Sequence, residues 1–352
     1  MGRGLDREGV TATAAPAVSA DRLIGRVAAL ATSPSLRLAA RRLVIAVPVL
    51  WGVSALTFIV MSVLPGNAAQ QILGVQATPA QVHQLELELG LDKPAWLRYA
   101  SWIGGVLTGN LGRSLASGQP VTAIIGQRLP ITVELVVYAL AVSVALAVPV
   151  ALLAARRPGG LADRLSMGIS MAGLSMANYV LALLLVIALA VYLPVFPAIG
   201  FVPLTESVGA NLRSLTLPAL AIGLPLACFY TRLLRADIAD QMQEDYVVTA
   251  RAKGVGPWQV LVRHALRNSL FGLLTIVGLN LGTLIGATVI IEQIFSLPGI
   301  GQAFLQAINN RDVPLIEAIV LVLATAVVLA NLLTDILYAV LDPRIRYGQR
   351  PD

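Results

Sequence analysis

Residues 135–155 read LVVYALAVSVALAVPVALLAA and are followed at once by Arg156-Arg157-Pro158-Gly159-Gly160. An uncharged run of this length, wound at about 1.5 Å per residue, matches the roughly 30 Å hydrocarbon thickness of a bilayer. The paired arginines that close it are what a membrane helix carries where it leaves the lipid. Similar runs occur at Leu43 to Leu64, Leu165 to Val191, Ser214 to Thr231, Ser269 to Ile291 and Ala318 to Thr334. The pattern predicts an all-α integral membrane protein with six transmembrane helices. The third run is long, and Pro194 and Pro197 are expected to end it by withholding backbone donors.

Composition agrees with the runs. The chain is 57% hydrophobic and 12% charged, with a mean hydropathy of +0.79, whereas soluble domains carry about 25% charged residues. The first run begins after a 40-residue tail and ends at Leu64-Pro65-Gly66-Asn67, a helix stop, so it reads as a retained anchor and not a cleaved signal peptide. Cys228 is the single cysteine, which excludes a disulfide framework, and His83 and His264 lie on different loops, so no metal site is expected.

Charge sets the orientation. With both termini in the cytosol, nineteen of the 25 Lys and Arg residues fall on the inside. They include Arg156, Arg157 and Arg164 after the second run, six between the fourth and fifth, and Arg344, Arg346 and Arg350 at the end. The net charge of +6 therefore reports topology and attraction to anionic lipid. Nucleic-acid binding is not expected, because the basic residues sit in short loops and form no continuous face.

The runs divide the chain into a cytosolic tail (1–40), a first transmembrane helix (43–64), an extracytoplasmic insert (65–130), a transmembrane core (131–341) and a cytosolic C-terminal tail (342–352). The tail holds one short amphipathic stretch, Arg22 to Leu30. In the insert, Thr78-Pro79 predicts a helix start and Gly90 a stop. A second helix is expected from Pro94 to Leu107, with Trp96, Tyr99, Trp102 and Ile103 resting on the bilayer interface or meeting an external partner.

Within the core, a loop at 237–267 reads Asp245-Tyr246-Val247-Val248-Thr249-Ala250-Arg251-Ala252-Lys253-Gly254-Val255-Gly256-Pro257-Trp258, then Arg263-His264-Ala265-Leu266-Arg267-Asn268. Asp245 can cap about two helical turns, Gly254 and Gly256 permit a reversal, and Pro257 suits the first turn of a second helix. Such an elbow can press into a groove of a cytosolic partner or lie along lipid headgroups. The chain has only two lysines, Lys93 and Lys253, and neither belongs to a Gly-Lys-Ser/Thr phosphate loop. Nor is there a Gly-x-Ser-x-Gly nucleophile motif. Glu134, Glu292, Glu317 and Asp335 lie near run ends and are expected to be interfacial charges or interhelical pairs. Pro218, Gly223 and Pro225 should make the fourth helix bendable, a candidate gate next to the loop.

The loop resembles the coupling loop of permease subunits in ATP-binding-cassette importers of the dipeptide and oligopeptide group. The resemblance extends to Leu217-Pro218-Ala219-Leu220 and Gly223-Leu224-Pro225-Leu226, and to Glu292 with Phe295-Ser296-Leu297-Pro298-Gly299-Ile300-Gly301. It also takes in Asp335, Tyr338 and Leu341-Asp342-Pro343-Arg344-Ile345-Arg346. Leu89-Gly90-Leu91-Asp92-Lys93-Pro94 and Leu111-Gly112-Arg113-Ser114-Leu115 are similar to the insert of the first-permease subtype of the peptide and nickel family. The resemblance implies a type I importer permease fold and a non-catalytic subunit in the cell (inner) membrane. Implied partners are a second homologous permease, two cytosolic ATPases or one fused ATPase that use ATP and Mg, and an extracytoplasmic binding protein. It implies that Asp245, Tyr246, Ala250, Arg251, Ala252, Lys253, Gly254, Gly256, Arg263 and His264 couple to the ATPase. The substrate implied is a di- or oligopeptide; nickel, glutathione and haem-type cargo share these motifs, and an ion-coupled secondary transporter is a distant alternative. The wider superfamily has Glu-Ala-Ala before the loop glycine, whereas Val248 and Thr249 take the first two places here. Glu244 and Asp245 lie one helical turn earlier.

Overall fold

The computed structural model describes residues 34–63, 73, 77–88 and 92–341. The N-terminal tail up to 33, the stop at Leu64 to Asn67, Gly90 and the signature residues Asp342, Pro343 and Arg344 lie outside the described residues.

Helices account for the described architecture. Helix α1 is Pro34–Val63, α2 is Pro79–Glu88, α3 is Ala95–Leu107 and α4 is Val121–Arg156. Then come α5 (Leu161–Ser175), α6 (Asn178–Tyr192), α7 (Val208–Gln241), α8 (Asp245–Ala252) and α9 (Pro257–Ile294). Short α10 (Ile300–Asn309) and long α11 (Val313–Leu341) complete the chain. In α2 the expected start is made by Thr78, whose Oγ1 accepts from Gln81 N at 3.4 Å while Gln81 Oε1 accepts from Thr78 N at 3.0 Å.

The core forms around the pair α4 and α7. Tyr138 meets Thr216 at 3.1 Å, and further along Ala147, Ala151 and Ala155 pack with Tyr230, Leu234 and Ile238. Residue numbers rise together along the two helices, so they are parallel. The chain between them must therefore recross the whole membrane. It does so through α5 and α6, which are bent by 104° at a short break. With about 22 Å of helix in each arm, a symmetric V still crosses about 27 Å, near the full hydrocarbon thickness.

The third apolar run is thus a broken span and not the continuous helix that its hydropathy predicts. It ends at Tyr192 in a π-helical turn, ahead of both prolines. By contrast α7 passes Pro218 and Pro225 without interruption. Neighbouring helices can re-satisfy the carbonyls that a proline frees in a membrane protein.

The remaining helices pair antiparallel. Leu234 and Ile238 of α7 pack on Leu261 and Ala265 at the start of α9, and α9 brings Gly282 against Val327 of α11, where an added Cβ would lie 3.1 Å from the valine. Arg42, in the first half of α1, pairs with Asp335 near the end of α11 at 2.9 Å. With the bent pair taken as one span, the described residues hold six candidate spans, and the first half of α1 and the end of α11 lie on the same side. On the opposite side α3 does not lie free on an interface: Tyr99 stacks edge-on against Phe58 of α1 at 5.2 Å and shares a hydrogen bond with Ser54 at 2.8 Å. Trp96 alone of its larger aromatics remains strongly exposed.

Candidate functional site

The elbow between α7 and α9 has its own small core. Val247, Ala250 and Val260 are buried together, with Met242, Tyr246 and Val255 packed around them. Gln241, the last residue of α7, ties the piece down: its Oε1 accepts from Tyr246 Oη at 2.6 Å and from Asn268 Nδ2 at 3.4 Å. The elbow is therefore a folded unit held at both ends by membrane helices.

Its reversal follows from local chemistry. Val255 N donates to Ala250 O at 3.2 Å and Gly254 N to Arg251 O at 2.9 Å, the two bonds of a Schellman motif. Gly254 sits at φ +79, where a Cβ is strained, so glycine is required there. Gly256 keeps an ordinary φ of −62 and serves as the cap before Pro257. Helix α8 is capped by Glu244, with Asp245 as its first helical residue and no side-chain cap bond. The capping expectation for Asp245 is corrected by one residue, because Glu244 is the last residue with an extended backbone.

Arg251, Ala252, Lys253 and Arg263 face outward, His264 is half-buried, and Ala250 points into the elbow core. Val248 and Thr249, which stand in place of the superfamily Glu-Ala, are also exposed. The second arm is continuous with α9 and carries a π-helical segment, Leu261–Ala265. Beside it lies a groove of about 560 Å³ lined by Trp258, Val262, Arg263, Leu266, Arg267 and Leu270. Arg156, at the end of α4, stands over the Trp258 ring at 5.9 Å.

One turn and a half before the elbow, Arg235 of α7 makes a two-pronged ion pair with Asp163 of α5, at 2.9 and 2.7 Å. Gly159 N adds a third bond to Asp163, at 2.8 Å. The side chains are 26% and 6% exposed for Arg235 and Asp163. This clamp joins the helix entering the elbow to the broken span.

At the far end, Glu292 is fully buried. Its carboxyl accepts from Thr132 Oγ1 at 2.6 Å and from Gln302 N at 3.1 Å, while Thr132 accepts from Ile300 N at 2.8 Å. Glutamate thus occupies the N-terminus of α10, where backbone N–H groups converge, and fastens it to α4. Gly299 and Gly301 lie directly against this carboxyl, with no room for a side chain. Pro298 belongs to the same turn, whose Ser296 takes φ 52. Asp312, buried in the loop between α10 and α11, accepts from Ser114 Oγ and from Leu115 N at 3.0 Å, which fixes the Leu111–Leu115 segment of the insert.

Pro218 and Gly223 are buried in α7 and Pro225 is half-buried. A Cβ on Gly223 would lie 2.8 Å from Ala139 O, so this glycine permits the close approach of α4. Asp335 pairs with Arg42 across α11 and α1. The expected coupling residues converge on one elbow; the gate candidates lie along α7, and Glu292 with Gly299 marks the opposite face. Sequence reading missed Asp163, Thr132 and Asp312. Their partners lie 72, 160 and 198 residues away, and only Asp163, an acid among the arginines that follow the second apolar run, carried a visible hint.

Six apolar spans around a parallel helix pair, with a compact elbow on one side and a carboxyl-stapled turn on the other, define a multi-pass membrane permease. The chain belongs to the binding-protein-dependent transport system inner membrane component family, which matches residues 147–347. The N-terminal module of such membrane components matches residues 35–136. A putative peptide transport system permease protein of Brucella abortus is 39% identical over 307 residues, covering 87% of this chain and 98% of that protein. A dipeptide transport system permease protein of Alkalihalophilus pseudofirmus is 37% identical, covering 88% of this chain and 99% of the relative. The dipeptide transport system permease protein of Escherichia coli is 35% identical, with 87% and 98% covered. The protein is accordingly a multi-pass inner-membrane component of a binding-protein-dependent transport system.

Proposed function

We propose that this chain is the peptide-conducting permease of an ATP-driven importer and performs no hydrolysis itself. It pairs with a second homologous permease, two cytosolic ATPases or one fused ATPase that use ATP and Mg, and an extracytoplasmic binding protein that delivers di- or oligopeptides. The observation that carries the reading is the folded elbow, rigidly attached to α7 and α9 and bearing Arg251, Lys253 and Arg263 on its open face. A rigid piece on two membrane helices converts closure of an ATPase pair into helix movement. The arginine-rich ends of the spans support placing the elbow and both termini in the cytosol. The names of the relatives support peptide as cargo.

Coupling of this kind is reciprocal, so peptide-loaded binding protein should stimulate hydrolysis in the reconstituted complex. Equal ATPase rates with loaded and empty binding protein, measured alongside uptake of a radiolabelled dipeptide, would sink the reading. Within it, α7 serves as the gate because it bears Pro218, Gly223 and Pro225 and runs directly into the elbow. Replacing Pro218 and Pro225 together by alanine should slow peptide uptake severalfold while leaving membrane abundance unchanged. Uptake at the unmodified rate would remove the gate assignment.

A further inference from the structure

The break in the third span lies midway along a segment that must cross the whole membrane, because α4 and α7 are parallel. Met176 N reaches Gly173 O at 3.4 Å, and Val180 N and Leu181 N bond to Ala177 O. The backbone N–H groups of Ala177, Asn178 and Tyr179 have no acceptor among the described residues, and no side chain caps α6. Irregular backbone at this depth is tolerated only where protein or water covers it, never where it meets lipid. Side chains at the break point the same way. Ser175 and Tyr179 are exposed and Asn178 is half-buried. Of the three, Ser175 alone makes a side-chain hydrogen bond among the described residues, to Met171 O at 2.9 Å.

Between the exposed apolar side chains of Met171, Leu174, Val180 and Leu183, the break thus presents an amide, a phenol and free backbone donors, groups that are matched to water and to a peptide main chain and not to hydrocarbon. We propose that Ser175, Asn178 and Tyr179 line the aqueous path through which the peptide passes and contact its backbone amides. This rests on the importer reading above. Because a peptide main chain is common to every cargo, the contact would be tolerant of side-chain identity.

The test uses the assembled transporter in lipid nanodiscs, with Cys228→Ala removing the natural thiol and single cysteines placed at Ser175, Asn178 or Tyr179. Cysteine at Thr205, in an exposed loop, and at Val47, on the exposed face of α1, provide the aqueous and lipid references. The thiolate, which forms in water and not in hydrocarbon, attacks a charged methanethiosulfonate reagent to form a mixed disulfide and release methanesulfinate, so the break cysteines should react at least about tenfold faster than the Val47 site. Peptide-loaded binding protein with ATP should slow the break cysteines relative to empty binding protein with ATP, while the Thr205 site reacts equally in both. Reaction at the Val47 rate overturns the proposal, and so does labelling indifferent to peptide. Dipeptide uptake by the Cys228→Ala background is measured in parallel: its absence would count against the importer reading, whereas labelling reports on the break alone.

Discussion

Glu292→Ala is expected to destabilise the folded permease by about 3 to 5 kcal/mol, from lost hydrogen bonds to buried donors together with the cavity left behind. The side chain is fully buried and is the meeting point of three elements: Thr132 on α4, the amide of Gln302 on α10, and α9, which bears it. Without the carboxyl, Gln302 N–H has no acceptor, and Thr132 keeps only its bond from Ile300 N. Glu292→Gln, which retains an acceptor oxygen in the same volume, should recover a large part of the loss. An independent variant is Gly301→Ala, whose new Cβ would collide with the Val289 backbone and press on the carboxyl. Overpacking of this kind costs about 1 to 3 kcal/mol, more when the obstacle is backbone that cannot rotate away. Thermal unfolding in detergent and abundance in the membrane check both. A Glu292→Ala protein that melts with the unmodified chain would show that the staple contributes no stability.

The staple also shows which parts of the structure sequence reasoning reaches. Apolar run length locates the spans because a bilayer imposes a single requirement on every helix that crosses it. The elbow is legible for a related reason: Gly254, Gly256 and Pro257 act through local backbone preferences over a few residues. What escapes is set by partners distant in the chain. The Glu292 run end reads as an interfacial charge or an interhelical pair of unknown partner until Thr132 is brought to it from α4, and Ser114 looks like a loop residue until Asp312 arrives. The broken third span escapes for a different reason. Hydropathy averages over Gly173, Ser175 and Asn178 and reports one continuous run, while Pro218 and Pro225, the strongest local helix breakers, sit inside an unbroken α7. In lipid a proline's lost bond can be replaced by neighbours, so breaks need not coincide with prolines.

Asp163→Asn is expected to reduce stimulation of the ATPase by peptide-loaded binding protein about tenfold, a coupling loss near 1.4 kcal/mol, with basal hydrolysis retained. Arg235 stands on α7 just before the elbow, and Asp163 lies in the first turn of the broken span, so their two bonds are a charged link between those elements. The asparagine variant keeps the side-chain shape and an acceptor for Gly159 N, but it replaces a charged two-pronged contact by a neutral one. Asp163→Ala removes the link altogether and leaves a partly buried guanidinium without its carboxylate. Arg235 is 26% exposed, so water offsets part of that loss and the stability cost should stay near 2 kcal/mol. If the clamp only stabilised the fold, both variants would lower melting temperature and basal hydrolysis together, and stimulation by binding protein would persist in whatever complex remained. If it transmits motion, stimulation falls in Asp163→Asn at unchanged abundance, and pairing this variant with Arg235→Ala adds no further loss. Full stimulation in Asp163→Asn would mean that α7 moves the broken span through its other contacts, among them Gly173 against Cys228 and the buried cluster that Ala182 shares with Leu215 and Ala219.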